Sequence, residues 1–300
     1  MDFILFRGYI MDMNKSMEEE KRPVVALMYD FDKTLCTKDM QEYAFIPSLG
    51  MSPKEFWTEV NDLCVAAHMD PILAYMYLMK RKAMEKGTKF TREALEYTGH
   101  DLEFFPGVKT WFDRINAFGD SVGVDVEHYI ISSGLREIIN GCEIKDAFKR
   151  VYACEFFYDE NSVPCWPKNV VNYTTKTQFL FRINKGVLDI SDDESVNNYT
   201  PQEERRVPFT NMIYIGDGLT DVPCMKLVKL NGGYSIAVYQ NMEKVKGLVA
   251  ANRVDFVFPA DYSENGPLEE TVEDIIRKMA TESILRERAL GQRKGLSETK

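Results

Sequence analysis

Five short runs of apolar residues recur along the chain, and each has the character of a buried strand. The runs are nearly continuous rather than alternating in polarity, which is typical of parallel strands covered by helices on both faces. They are VVALMY (24–29), HYII (128–131), NMIYI (211–215), YSIAVY (234–239) and VDFVF (254–258). Helical segments lie between them. The pattern therefore predicts an α/β fold with a doubly wound parallel sheet.

The segment between the first two runs is longer than a plain crossover and carries three helix signatures. A Ser-Pro-Lys-Glu capping box predicts a helix over about 53–67. An Asp-Pro pair begins a second helix over 71–86, which a glycine can close. A threonine caps a third helix within 91–98. We interpret residues 39–103 as a small helical cap domain.

The rest of the chain is predicted to form the core and its appended segments. Residues 151–171 are aromatic and β-branched around the turn-forming sequence DENS, which indicates a hairpin. The acidic stretch 189–208 is superficially like a calcium loop, but Glu194 stands where that motif requires glycine, so a surface loop is predicted. The expected units are an α/β core at 22–38 and 104–291 with a hairpin flap at about 151–172, the cap domain at 39–103, and tails at 1–21 and 292–300.

Composition and charge exclude several classes of protein. The 300 residues are 45% apolar, which is enough for one main domain with a smaller insertion. The net charge of −10 argues against nucleic acid and anionic membranes as partners. The six cysteines form no C-x-x-C pair and follow no secretory signal, so we expect a reduced, soluble, cytoplasmic protein. The three histidines lack ligand spacing, and the oligomeric state stays open.

Polar residues collect where three predicted strands end. They are Asp30 and Asp32 after the first strand, Ser132, Ser133 and Gly134 after the second, and Asp217 and Asp221 after the third. The carboxyl ends of parallel strands face one crevice, where ligands bind. Carboxylates that converge there would repel unless a cation lay among them. Hard oxygen ligands suit Mg²⁺, so the sequence predicts a magnesium site that also binds a phosphate.

The motifs DFDKTL (30–35) and GDGLTD (216–221), with a hydroxyl and a lysine between them, resemble the haloacid dehalogenase superfamily of phosphohydrolases. The resemblance runs from about residue 24 to residue 260. The helical cap and the hairpin are most similar to the phosphoserine-phosphatase-type branch. The resemblance implies a Rossmann-like core and Mg²⁺-dependent hydrolysis of a phosphomonoester.

The resemblance also implies roles for the candidate residues. Asp30 would attack phosphorus and form an aspartyl-phosphate. Asp32 would protonate the leaving oxygen and then deprotonate the hydrolytic water. Ser132 would donate a hydrogen bond to a phosphoryl oxygen, with Ser133 and Gly134 completing the phosphate site.

The metal ligands and the catalytic lysine follow from the same resemblance. Mg²⁺ would be held by the Asp30 carboxylate, the main-chain carbonyl of Asp32 and Asp217, with Asp221 behind them or as an alternative ligand. Lys176, which follows the hairpin and opens a helix, is the preferred lysine. Lys185, at the far end of that helix, is the alternative.

Two departures from the family pattern leave the substrate open. Phosphoserine phosphatases typically carry S-G-G and G-D-G-x-N-D, whereas this chain has SSGL (132–135) and GDGLTD (216–221). We therefore expect a small phosphomonoester as the partner, without naming it. Asp32 argues against dehalogenation, because a leaving halide needs no proton. A sugar-phosphate mutase or phosphotransferase, and a non-catalytic phospholigand-binding regulatory module, remain alternatives.

Overall fold

A single seven-stranded sheet forms the centre of the molecule. The computed structural model describes residues 22–297, so the expected tail at 1–21 lies outside the described residues. The strands are β1 Val24–Tyr29, β2 Asp125–Leu135, β3 Arg150–Tyr158, β4 Pro164–Asn169, β5 Met212–Gly216, β6 Tyr234–Tyr239 and β7 Phe256–Pro259. Their spatial order is β4-β3-β2-β1-β5-β6-β7. Only the β3–β4 pair, which is the predicted hairpin, is antiparallel within this sheet.

Helices connect the strands, as the pattern predicts. They are α1 Phe45–Ser48, α2 Pro53–Ala67, α3 Pro71–Lys86, α4 Arg92–Tyr97, α5 Val108–Ser121, α6 Arg136–Asn140, α7 Lys176–Lys185, α8 Asp193–Asn197, α9 Val222–Leu230, α10 Glu243–Ala250 and α11 Pro267–Ser297. The predicted Rossmann-like α/β class with a doubly wound sheet is confirmed. The last helix continues past residue 292, where a tail was expected. Within the described range, no helix is long and apolar enough to cross a bilayer.

The helices α1 to α4, which we call the inserted helices, begin and end where local chemistry directs. Ser52 and Glu55 form the predicted capping box of α2. The Asp70 carboxylate accepts from the first backbone N–H groups of α3. Gly87 ends α3 in the left-handed conformation, with φ of 66°. Each of these signals acts between residues that are close in sequence, so the folded chain contains them as predicted.

The central position of β1 brings the predicted motifs to one edge. β1 is buried along its whole length, and it pairs in parallel with β2 on one side and β5 on the other. The register places Tyr29 opposite both Ile130 and Ile215. The residues that follow β1 and β5, and the last residues of β2, therefore lie at the same edge of the sheet.

Strand β2 differs from its prediction. The sequence predicts a strand over 128–131, whereas β2 runs from Asp125 to Leu135. Its pairing with β3 shifts between Ile131 and Leu135, so the serines lie in an irregular stretch of the strand rather than after it.

The acidic stretch 189–208 also differs from the expected irregular loop, because it contains the short helix α8. The buried Arg182 guanidinium holds this stretch against the core. It donates to the carbonyls of Asp189 at 2.7 Å and Asp192 at 3.0 Å, and to the Asp193 carboxylate at 2.7 Å. A guanidinium group carries several N–H donors in one plane and can satisfy several acceptors at once, so the contacts of Arg182 order this segment.

His128 in β2 is a buried histidine surrounded by hydrogen-bonding and aromatic groups. Its Nδ1 lies 3.0 Å from the Tyr29 hydroxyl, and its Nε2 lies 3.1 Å from Asn116 Oδ1. The Phe112 ring meets it edge-on at 5.1 Å between centroids. Burial lowers the pKa of His128 from 6.5 to about 3. The folded protein therefore holds this imidazole in its neutral form.

We expect His128 to make folding sensitive to mild acid. Below a pH of about 6.5 the unfolded chain takes up a proton that the folded chain does not, so the free energy of unfolding falls as pH decreases. From about pH 7 to about pH 5.5, wild type should lose about 1 kcal/mol more than His128→Gln in urea unfolding. His100→Gln, at an exposed site, should follow wild type. Equal losses in wild type and His128→Gln would contradict this.

Candidate active site

Three carboxylates meet at the edge of the sheet. Asp30 follows β1, and its backbone N–H donates to the Ile215 carbonyl of β5 at 2.9 Å. Asp217 follows β5, and Asp221 lies just before α9. Each of the three offers a carboxylate oxygen that is within 4.8 Å of the others. The sheet pairing therefore brings together residues that are far apart in sequence.

A buried lysine lies between two of these carboxylates. The Lys176 side chain is fully buried, and its Nζ lies 2.9 Å from Asp30 Oδ1 and 2.7 Å from Asp221 Oδ1. Burial would lower the pKa of Lys176, but attraction to Asp221 and Asp30 outweighs burial and raises it. The lysine is therefore an ammonium ion that contacts two carboxylates, one after β1 and one just before α9.

The position of Lys176 follows from the turn that precedes α7. The backbone N–H of Asn172 donates to Thr175 Oγ1 at 2.7 Å, and the Lys176 N–H donates to the Asn172 carbonyl at 3.0 Å. Lys185, the alternative lysine, lies at the other end of α7. Its Nζ donates to the carbonyls of Val196 at 2.7 Å and Asn198 at 2.6 Å, so it supports the segment around α8.

Asp221 is held by more donors than its neighbours. The Tyr214 hydroxyl donates to Asp221 Oδ1 at 2.8 Å, and the Gly218 N–H donates to Oδ2 at 3.3 Å. A Cβ at Gly216 would lie 2.6 Å from the same carboxyl group, so only glycine leaves room for it. Asp221 therefore suits the role of orienting Lys176.

The remaining carboxylates resist ionisation. Burial, and then repulsion from Asp221, raise the pKa of Asp30 to about 6, although Lys176 lowers it in part. Burial, Asp221 and Asp30 together raise the pKa of Asp217 to about 8. This site thus carries more negative charge than its one buried lysine balances.

Asp32 has hydrogen-bonding partners different from those of Asp30. Its Oδ1 accepts from the Met40 N–H at 2.8 Å. Burial, and then repulsion from Asp39 and Asp30, raise the pKa of Asp32 well above its usual range. A Cβ at Gly134 would overlap the Met40 side chain and lie 2.9 Å from Asp32 Oδ2, so glycine leaves room for both. The raised pKa favours the protonated form of the Asp32 carboxyl group, which can donate a proton.

The two serines of β2 have different surroundings. Ser132 is buried, and its Oγ accepts from the Gly134 N–H at 2.9 Å, which leaves its own hydroxyl hydrogen for an acceptor. Ser133 lines the same cavity as Asp30 and Asp217. Its Oγ is buried and has no hydrogen-bond partner among the described residues. Of the two residues, Ser133 is the one that lines the cavity.

The cavity at this edge, which we call the catalytic cavity, has a volume of about 590 Å³. Asp30, Asp32 and Asp217 line it together with Lys33 and Asp39, which the sequence does not single out. Lys33 Nζ lies 2.5 Å from Asp39 Oδ2. The backbone of Lys33 has a φ of 58°, in the left-handed region that residues other than glycine rarely adopt.

Comparison with known proteins supports the resemblance. A family model described as haloacid dehalogenase-like hydrolase matches residues 27–226, a range that includes the candidate residues from Asp30 to Asp221. An uncharacterized protein of Borreliella burgdorferi is 29% identical over 280 residues, covering 83% of this chain and 95% of that protein.

Solved structures share the fold at low identity. A haloacid dehalogenase family hydrolase from Salmonella enterica serovar Typhi has a TM-score of 0.53 and 16% identity, covering 85% of this chain and 76% of that one. A probable phosphoserine phosphatase from Vibrio cholerae has a TM-score of 0.55 and 12% identity, covering 87% of this chain and 67% of that one. With the family match and the site geometry, the chain belongs to the haloacid dehalogenase-like hydrolase family.

Proposed function

We propose that this protein is a Mg²⁺-dependent phosphatase that hydrolyses a small phosphomonoester through an aspartyl-phosphate. The observation that carries the proposal is the convergence of Asp30, Asp217 and Asp221 around the buried Lys176, beside a cavity that Asp32 also lines. Nucleophile, proton carrier, cation and carboxylate cluster then occupy one site. Each of them has a role in transferring a phosphoryl group.

The donor set fits a magnesium ion. Carboxylate oxygens are hard ligands. Burial, and then repulsion from neighbouring carboxylates, raise the pKa values of Asp30 and Asp217, and a divalent cation would offset both effects. We propose Asp30, Asp217 and the main-chain carbonyl of Asp32 as ligands, with Asp221 behind them. When bound, Mg²⁺ would neutralise negative charge on the phosphoryl oxygens.

The first chemical step is assigned to Asp30 and Asp32. An Asp30 carboxylate oxygen attacks phosphorus and forms a P–O bond, while the bond from phosphorus to the ester oxygen breaks. The departing oxygen takes a proton from Asp32, since burial and the neighbouring carboxylates raise the pKa of Asp32 and favour its protonated form. The free alcohol leaves, and Asp30 carries the phosphoryl group.

The second step regenerates the enzyme. Asp32, now a carboxylate, takes a proton from water as the water oxygen attacks phosphorus. The bond from phosphorus to Asp30 breaks, inorganic phosphate leaves, and Asp30 is again a carboxylate. Ser132 and Ser133 offer hydroxyl donors to the phosphoryl oxygens, Gly134 permits close approach of the backbone, and Lys176 compensates the developing charge.

The surroundings of the cavity favour a small substrate. The inserted helices lie over this edge, where the Tyr75 hydroxyl donates to the Ser133 carbonyl at 2.8 Å. We propose that residues 39–103 act as a cap domain over the catalytic cavity. A volume of about 590 Å³ accommodates a small ester but not a phosphorylated segment of a folded protein.

Removal of the nucleophile or of the metal should abolish activity. With para-nitrophenyl phosphate and Mg²⁺, Asp30→Asn should lower kcat at least about a thousandfold, and so should an excess of EDTA with wild type. Asp146→Asn, a matched change at an exposed site, should behave as wild type. Equal rates for wild type and Asp30→Asn would refute the proposed function.

The two lysines of α7 give a matched pair of variants. Lys176→Met removes the cation that touches Asp30, so kcat/KM should fall about a hundredfold or more. Lys185→Met loses only carbonyl contacts near α8 and should remain within about twofold of wild type. Circular dichroism confirms that both variants fold. Activity that depends on Lys185 and not on Lys176 would overturn the assignment.

The repulsion at Asp217 should be visible as a pH-dependent stability. Its pKa of about 8 in the fold exceeds the ordinary 3.8, so the folded state binds the extra proton between these values. Without metal, wild type should therefore lose stability as pH rises from about 5 to about 8, by at least about 1 kcal/mol more than Asp217→Asn. Urea unfolding in EDTA measures this. A larger loss in the variant would contradict the electrostatic account.

A further inference from the structure

Helix α3 of the inserted helices makes two hydrogen bonds to the segments that carry proposed catalytic residues. The Tyr75 hydroxyl donates to the Ser133 carbonyl at 2.8 Å. The Asp70 carboxylate, at the start of the helix, accepts from Asn172 Nδ2 at 2.8 Å. Ser133 lines the catalytic cavity, and Asn172 begins the turn that places Lys176. One helix therefore contacts two segments of the site that are far apart in sequence.

The bond from Tyr75 supports a stretch of β2 that lies outside regular strand pairing. The pairing of β2 with β1 ends at Ile130, and its pairing with β3 is interrupted between Ile131 and Leu135. The Ser133 carbonyl lies within this interruption and accepts from the tyrosine instead. Tyr75 is buried, and burial raises the pKa of its hydroxyl well above the usual value, so the hydroxyl stays a donor.

The Tyr75 ring is held independently of its hydroxyl. It meets the Trp57 ring edge-on at 6.1 Å between centroids, and the Trp57 Nε1–H donates to Glu42 Oε1 at 2.8 Å. Phenylalanine in place of the tyrosine would keep this ring contact and lose the bond to Ser133. The change Tyr75→Phe therefore separates the hydrogen bond from the packing.

The two carboxylate oxygens of Asp70 have separate partners. Oδ1 accepts from the backbone N–H groups of Ile72 at 2.9 Å and Leu73 at 3.2 Å, and so caps α3. Oδ2 accepts from the Asn172 side chain. The Asn172 carbonyl in turn accepts from the Lys176 N–H at 3.0 Å. Asp70 thus connects the start of α3 to the first residue of α7, whose ammonium group lies in the site.

Small displacements of these two segments would weaken the transfer of a phosphoryl group. In the proposed mechanism the Ser133 hydroxyl donates to a phosphoryl oxygen and Lys176 compensates the developing charge. Both interactions depend on distance and direction, so their contribution falls when the donor moves by a fraction of an ångström. A helix that holds both segments therefore influences the rate without contacting the phosphoryl group.

We propose that Tyr75 and Asp70 are positioning residues, through which α3 holds Ser133 and Lys176 in the arrangement that phosphoryl transfer requires. The inference rests on the proposed function and deepens it, because it gives the inserted helices a part in the chemistry besides covering the cavity. Neither residue transfers a proton or binds the phosphoryl group in this proposal.

Tyr75→Phe and Asp70→Ser test the two bonds. With para-nitrophenyl phosphate and Mg²⁺, each should lower kcat about tenfold and change KM less than about threefold, because a misplaced donor costs most in the transition state. Serine has one side-chain oxygen, which can still cap α3 but leaves Asn172 without its acceptor. Tyr77→Phe, at a half-exposed tyrosine of α3, and Asp62→Ser, at an exposed aspartate of α2, should behave as wild type.

A second background tests whether Asp70 acts through the lysine. In Lys176→Met, the further change Asp70→Ser should alter kcat less than about twofold, since the group that it positions is already absent. A merely structural role would lower the amount of folded protein by the same factor in both backgrounds. Equal tenfold losses in the two backgrounds would therefore overturn the assignment of Asp70.

Hydrolysis by wild type separates the inference from the proposed function. If wild type hydrolyses para-nitrophenyl phosphate and the two variants keep its kcat, the positioning inference is wrong and the phosphatase proposal stands. If wild type hydrolyses no ester, amide hydrogen exchange decides the inference. Faster exchange confined to 130–136 in Tyr75→Phe and to 172–178 in Asp70→Ser then supports it. Exchange that is unchanged there, or faster throughout the chain, overturns it.

Discussion

The ammonium group of Lys176 is the interaction on which the site depends. It is fully buried and contacts both Asp30 and Asp221, so it connects the start of α7 to the end of β1 and to the start of α9. A buried charge is tolerated only with good partners, and a buried carboxylate has the same need. The lysine thus allows two acids to share the interior of the sheet edge, and the two acids in turn fix where the lysine lies.

One lysine does not balance the whole cluster. Burial raises the pKa values of Asp30 and Asp217, and repulsion from the neighbouring carboxylates raises them further although Lys176 is in place. Repulsion among these carboxylates is relieved when a cation binds, so the repulsion increases the affinity of the site for that cation. The same low-dielectric surroundings raise the pKa of Asp32, which a proton donor requires. Stability and the proposed chemistry thus oppose each other at this edge.

Much of this arrangement is legible in the sequence, because its signals are local. The capping box at Ser52 and the apolar run that forms β1 act through near neighbours, and both are present in the fold as predicted. The irregular end of β2, where Ser133 lines the cavity, depends on pairing with β3 and has no signature in the local sequence. Residues 189–208 are held against the core by Arg182, whose contacts form only after folding.

We propose that a divalent cation offsets the excess negative charge around Asp30 and Asp217. Calorimetric titration of Mg²⁺ into the metal-free protein, in buffers that differ in ionisation enthalpy, tests this directly by counting the protons released. Because burial and the neighbouring carboxylates raise the pKa of Asp217 to about 8 in the metal-free protein, we predict release of about one proton per ion at about pH 7. The release should decrease as pH rises beyond about 8. Binding without proton release, or no binding, would contradict the account.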